Sequence, residues 1–289
     1  MKLVFSVTVV FFSGIILLAS CTKNSNADNP PAITQPRATN AFGQSLPQNV
    51  ACRITKFYGN SPDTATYLYY DANGLLIKTE EKEKTTLADQ TVFVYDNVNR
   101  ITKIVQDNGT VEYVFDYGSS ATKVQKIITN YTLNSSRHDT AFISYPNPNK
   151  IVFSITDRSI NDFRRDTLEF DNNNNLIKQI EYSGPSGSNL ALSLRRTTSF
   201  NTAVKSFSYG SALGDLLIMF SATEWDAFPP GNNLVFESFY YDYSASPSLA
   251  DHITIQDIQV NANGYPVFFK VKDISSNIIS PSHLEYDCN

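Results

Sequence analysis

From Ala51 onward the sequence repeats one short pattern: a β-prone arm, an aromatic residue, an Asp or Asn, a reversal, and a second β-prone arm. Its clearest copies are Tyr70-Asp71-Ala72-Asn73-Gly74-Leu75-Leu76-Ile77-Lys78, Tyr95-Asp96-Asn97-Val98-Asn99-Arg100-Ile101-Thr102-Lys103 and Phe170-Asp171-Asn172-Asn173-Asn174-Asn175-Leu176-Ile177-Lys178. A looser copy runs Val260-Asn261-Ala262-Asn263-Gly264-Tyr265-Pro266-Val267, and degenerate ones surround Phe115, Tyr145, Phe200 and Tyr241. Asp and Asn side chains bond nearby backbone N–H groups, and Asn and Gly accept positive φ, so each unit reverses the chain. The aromatic before the reversal and the aliphatic pair after it are placed to pack across the two arms.

Arms such as Thr66 to Tyr70, Gln90 to Tyr95, Lys123 to Thr129 and Val267 to Lys272 are strand-length and rich in β-branched and aromatic residues. Units recur every 20 to 30 residues or so, a spacing typical of repeat architectures. The expected fold is therefore all-β: a long antiparallel meander of about a dozen to eighteen short strands, forming a barrel-like or strongly curved sheet.

The Tyr-Asp-x-x-Gly-x-Leu copies are similar to the YD repeats of large secreted bacterial shells, which are far longer than this chain. Leader and domain together resemble a group of Bacteroidota lipoproteins of unknown function with a porin-like all-β domain. That resemblance spans residues 51–289; it implies a barrel or strongly curved sheet and no activity. A true spanning porin is not expected. Most arms are shorter than the 9 to 11 residues or so that a membrane strand needs, and Glu80 to Lys84, Asp157-Arg158 and Arg164-Arg165-Asp166 would bring charge into lipid.

The amino terminus sets the compartment. Lys2 precedes an apolar run from Leu3 to Leu18, followed by the small residues Ala19 and Ser20 and then Cys21. This is the order of a secretory signal peptide, assigned to residues 1–20. The segment Leu18-Ala19-Ser20-Cys21 resembles the bacterial lipobox, which implies cleavage before Cys21 and acylation of that cysteine. Residues 21–50 are Asn-, Pro-, Ser- and Thr-rich without hydrophobic periodicity, and are expected to form a lipid-anchored flexible tether to the β domain at 51–289. Thr22 follows the cysteine and no acidic pair comes soon after. By resemblance to known sorting signals, this favours the outer membrane facing the periplasm, with surface exposure the alternative.

Cys52 and Cys288 stand at the two ends of the β domain. An exported compartment permits disulfides, and the ends of a curved or closed sheet are neighbours, so pairing is expected over two independent thiols.

Charge narrows the partners. The chain carries −5, and removing Lys2 with the leader leaves −6. With no basic face to meet phosphates, nucleic-acid binding is not expected. Chemistry-bearing patterns are sparse. His138, His252 and His283 are isolated, without metal-ligand spacing, and no metal or cofactor is expected. Asp171 to Asn175 alternates oxygen donors as calcium loops do, but lacks their central Gly and final Glu, and reads as an Asn-rich turn. No Gly-x-Ser-x-Gly elbow occurs. Glu169, Glu181, Asp226 and Glu237 could supply a carboxylate pair only if folding brought two of them together.

One stretch breaks the repeat. Trp225-Asp226-Ala227-Phe228-Pro229-Pro230 places the only Trp beside Phe and two prolines between strand-like stretches. It is either a plug for the end of the sheet or a ligand-contacting loop. A binding site would first be sought at Trp225, Asp226, Phe228 and Tyr241. The leading function is a lipid-anchored cell-envelope protein with a non-enzymatic binding or scaffolding role toward a glycan, lipid or protein ligand. An envelope hydrolase acting on glycan or peptide, or a lipid carrier, is the alternative.

Overall fold

The computed structural model describes residues 33–34, 39–45, 49–106, 109–132, 138–157, 162–206, 232–243 and 247–288. In chain order the strands are β1 (Ile33–Thr34), β2 (Asn49–Val50), β3 (Cys52–Tyr58), β4 (Thr64–Tyr70), β5 (Leu76–Glu83) and β6 (Thr86–Tyr95). They continue as β7 (Ile101–Gln106), β8 (Val111–Asp116), β9 (Lys126–Tyr131), β10 (His138–Asn147), β11 (Lys150–Asp157) and β12 (Asp162–Phe170). The last six are β13 (Leu176–Ser186), β14 (Asn189–Lys205), β15 (Asn233–Asp242), β16 (Ser248–Val260), β17 (Pro266–Asp273) and β18 (Ile278–Cys288). Strands β1 and β2 pair with each other; β3 to β18 form a closed antiparallel barrel in which each strand neighbours the next and β18 returns to β3. The expected meander is thus present, and it closes.

The aromatic-Asp units build one end of this barrel, here called the base. In each clear copy the first Asx side chain caps its own loop. Asp71 Oδ1 accepts from the N–H of Asn73 and Leu75, at 2.9 and 2.8 Å. Asp96, Asp171 and Asn261 repeat the arrangement toward residues two and four positions on. The loop's fourth residue takes positive φ, at Gly74 (85°), Asn99 (63°), Asn174 (59°) and Gly264 (79°), which explains why only Gly or Asn stands there. The register then shifts by one residue beyond each loop, at Tyr69/Tyr70, Val94/Tyr95, Glu169/Phe170 and Gln259/Val260. Such bulges increase local twist and help curve a sheet toward closure.

The tyrosine of the unit has its own task. Its hydroxyl donates to a backbone carbonyl of the preceding unit: Tyr70 to Ile54 (2.8 Å), Tyr95 to Leu76 (2.7 Å), Tyr117 to Ile101 (3.0 Å) and Tyr145 to Val124 (2.7 Å). Cations lie over three of these rings: Arg53 on Tyr70, Arg100 on Tyr117 and Lys123 on Tyr145. The repeat therefore locks each hairpin to the one before it.

Alternation sorts side chains to the two faces of the wall. Phe93, Ile104 and Tyr113 lie opposite one another on β6, β7 and β8, and all are buried. They belong to a single apolar cluster that includes Leu68, Leu76, Phe115, Ile127, Phe153 and Leu168, drawn from strands all round the barrel. This face points inward.

A sixteen-stranded barrel is wide enough that porins of that size keep a water channel. Here the base is filled, and part of the filling comes from the stretch expected to be a free tether. Residues 39–45 turn back on themselves in the same loop geometry, with Asn40 Oδ1 accepting from the N–H of Phe42 and Gln44 and Gly43 at φ 77°. Ala41 accepts from the Val124 N–H at 2.8 Å, and the Phe42 ring, 2% exposed, sits 5.7 Å from that of Phe153. The flexible-tether reading of 21–50 therefore fails at 39–45: Phe42 gains more from burial than an isolated loop of this composition suggests. Aliphatics lining the base, among them Ile101, Ile104, Val124 and Leu176, are wholly removed from solvent.

Candidate functional site

Above the filled base, the inward face of β12 to β15 becomes polar. Asp166 and Glu181 are cross-strand partners, and Arg164 Nε lies between them, 2.9 Å from Asp166 Oδ2 and 3.6 Å from Glu181 Oε2. Ser193 Oγ donates to Glu181 Oε1 at 2.7 Å. On the next strands, the Arg196 guanidinium stacks on the Tyr240 ring at 3.9 Å, while the hydroxyls of Thr198 and Ser238 lie 3.2 Å apart. Burial pushes the Asp166 carboxyl up to about 8, partly opposed by Arg164 and reinforced by the negative Glu181. Asp166 and Arg196 are fully buried and Glu181 is 1% exposed, so no substrate reaches these carboxylates. The cluster can hold a proton and brace the wall; it does not form an accessible acid pair.

Toward the other end, here called the mouth, inward-facing residues are no longer fully covered. Phe57, Thr66, Thr79, Gln106, Tyr131 and Ile253 are half-buried. Acids share this zone: Tyr131 donates to Asp139 Oδ2 at 2.9 Å, and the Glu81 carboxyl is raised by burial and by the facing Asp89. Among the described residues the interior is apolar and covered toward the base and more polar and less covered toward the mouth.

The outer wall is dressed for water. On β5, Lys78, Glu80 and Lys82 succeed one another on the outward face; Glu80 bonds Lys78 (2.6 Å), Lys82 (2.9 Å) and the Tyr69 hydroxyl (2.7 Å), and these bonds hold its carboxyl down to about 2. Further round come Lys103–Glu112 (2.8 Å), Lys150–Glu169 (2.9 Å), Glu237–His252 (2.8 Å) and Lys56–Glu285 (3.3 Å). Aromatic stacks accompany the charges: His283 on Tyr58 at 4.9 Å, His252 on Phe239 at 4.2 Å.

Of the acids considered for hydrolysis, Glu169 and Glu237 lie on this outer wall and Glu181 lies inside, so these three do not converge. Tyr241 is half-buried on the outer face, opposite Arg195 and Leu249. Trp225, Asp226 and Phe228, like Cys21, lie outside the described residues. Among the described residues no group of three or more His, Cys, Asp or Glu is placed to hold a metal. Cys52 and Cys288 are bonded to each other. The inward cluster at Arg164, Asp166, Glu181 and Arg196 escaped the sequence reading. The one available signal was Arg164-x-Asp166-x-Leu168, charges in phase with an apolar residue, which implies burial on one face.

One solved structure shares the fold. A porin-like protein from Bacteroides vulgatus ATCC 8482 superposes with a TM-score of 0.51 at 12% identity, over 82% of this chain and 99% of that one. A porin-like protein from Bacteroides uniformis ATCC 8492 gives 0.47 at 10% identity, over 81% and 96% of the two chains. No family model matches the sequence. No curated protein matches it either.

Proposed function

We propose that this chain is a lipid-anchored cell-envelope protein whose barrel stands in water and serves a non-enzymatic binding or scaffolding role. One observation carries the reading: ion pairs are set at many points round the outward face, among aromatics such as Phe142 and Phe236. Lys78, Glu80 and Lys82 alone span about 13 Å of β5, at roughly 3.3 Å per residue. A spanning barrel needs an uncharged outer band of about 25 Å, and a Lys at mid-bilayer costs about 2–4 kcal/mol. Membrane attachment is left to Cys21, which the lipobox-like Leu18-Ala19-Ser20-Cys21 supplies. Several acyl chains hold firmly, at about 0.8 kcal/mol per buried CH₂. The outer-membrane, periplasm-facing placement follows from Thr22 at the second mature position.

Binding is favoured over hydrolysis because the buried Asp166–Glu181 pair is sealed and the outer acids are engaged, Glu169 by Lys150 and Lys178 and Glu237 by His252. A lipid carrier is disfavoured because the apolar part of the interior is packed closed around Phe42. The test is expression in a diderm bacterium with labelled palmitate. Wild-type protein should take up label and pellet with membranes until detergent is added, and Cys21→Ser should be unlabelled and soluble in the periplasm. A Cys21→Ser protein that stays in the membrane would refute the reading.

A further inference from the structure

We infer that the base of the barrel is a membrane-docking surface, seated on the bilayer that holds the Cys21 acyl chains, with the mouth turned away. The inference rests on the lipid-anchor reading and adds which end faces the lipid. Chain path is the first support. The amino-terminal segment enters the fold at the base, where Ala41 and Phe42 are fixed against Val124 and Phe153, and Ser45 accepts from Asn174 of the β12–β13 loop at 3.0 Å. Only residues 22–32 separate the anchor from the first pairing of this segment, Ile33 and Thr34 against Val50 and Asn49. If that stretch is the flexible tether its composition predicts, it spans roughly 17–20 Å, so the base stays close to the surface.

The rim of the base is the second support. Its strand ends and loops expose aliphatic side chains: Val98 at 62%, Val260 at 48%, Ile177 at 40% and Ile77 at 38%. Ile77 and Ile177 are the bulge residues left unpaired by the register shift, so the repeat itself pushes them outward. Shallow aliphatic insertion beside cations is how a peripheral surface meets a bilayer. The cations are at hand: Arg100 on Tyr117, Lys123 on Tyr145 and Lys205 on Tyr265.

The mouth exposes at least as many aliphatics, Leu87, Leu249, Ile274, Ile278 and Ile279, so apolar exposure alone does not choose the end. Charge separates the two ends. At the base, Asp96 pairs with Arg100 and Asp116 with Lys126, at 2.7 and 2.9 Å. At the mouth, the carboxylates of Glu81 and Asp89 stand opposite each other on β5 and β6. An anionic leaflet repels that end, and a lysine or arginine near such a surface is favoured over it.

The test uses the acylated protein reconstituted in phosphatidylethanolamine–phosphatidylglycerol vesicles. An environment-sensitive dye is placed on Val98→Cys at the base or on Ile274→Cys at the mouth, both exposed loop positions. Lipids carrying a spin-label quencher should quench the dye at 98 several-fold more than the dye at 274. Equal quenching, or stronger quenching at 274, overturns the docking. Mass spectrometry of the amino-terminal peptide reads the anchor separately: a chain without acyl mass that fails to join the vesicles overturns both readings, and an acylated chain with neither dye quenched overturns the docking alone.

Discussion

Cys52 and Cys288 face each other as the first and last residues of the barrel wall, with Cα atoms 4.1 Å apart across the β3–β18 seam. The same seam carries the Tyr58–His283 stack and the Lys56–Glu285 ion pair on its outer face. Closure is thus reinforced where the chain has no hairpin to help it.

The bond spans 236 residues of sequence. In the chain-entropy model a loop that long contributes about 5 kcal/mol. Cys52→Ser is therefore expected to lower the urea midpoint of the mature domain sharply, and reductant should lower the wild-type midpoint to the same value. Unreduced protein should show no reactive thiol at 52 or 288.

The Tyr hydroxyls of the repeat are expected to matter individually. Tyr95→Phe removes the bond to the Leu76 carbonyl and keeps the ring, so it should cost about 1 kcal/mol. Equilibrium denaturation reads this directly. A neutral result would mean the hydroxyl does not tie the two units together.

Phe42→Ala should destabilise by about 3 kcal/mol or more, since its ring fills the base against Phe153. A chain beginning at residue 51 should bind a hydrophobic dye that the full mature chain excludes. Protease nicking between 22 and 32 should leave stability unchanged.

Asp166 gives a pH signature. Its carboxyl titrates near 8 when buried and near 4 in the unfolded chain, so between those values the folded protein holds a proton that the unfolded chain has released. The contribution is full below about pH 4, falls by up to about 1.4 kcal/mol per pH unit, and is lost above about pH 8. Asp166→Asn should flatten that part of the stability–pH curve and be more stable than wild type at pH 8. Parallel curves for the two proteins would show that Asp166 is ionised throughout.

The hairpin corners were legible because the Asx cap and the positive-φ residue lie within five consecutive positions, as at Asp71 to Leu75. The seam disulfide was legible because a closed meander brings its ends together. The plug was not: Asn40-Ala41-Phe42-Gly43-Gln44 repeats the corner without flanking strands, and its burial depends on a cavity made by Val124 and Phe153, more than eighty residues away. Nor was the Arg164–Asp166–Glu181 cluster. The bulge at Glu169/Phe170 shifts the alternation between β12 and β13, so counting by twos along the sequence misassigns which acids face inward. Glu181 went in while Glu169, one strand earlier, went out.

The account stands on a barrel whose outside is wetted and whose inside is filled. Sedimentation of the unacylated mature chain, Cys21→Ser, in detergent-free buffer tests this most directly, with planar-bilayer conductance measured on the same sample. A monodisperse β-rich species that adds no conductance is the predicted result. A protein that stays in solution only with detergent, and opens steady channels in the bilayer, would contradict it.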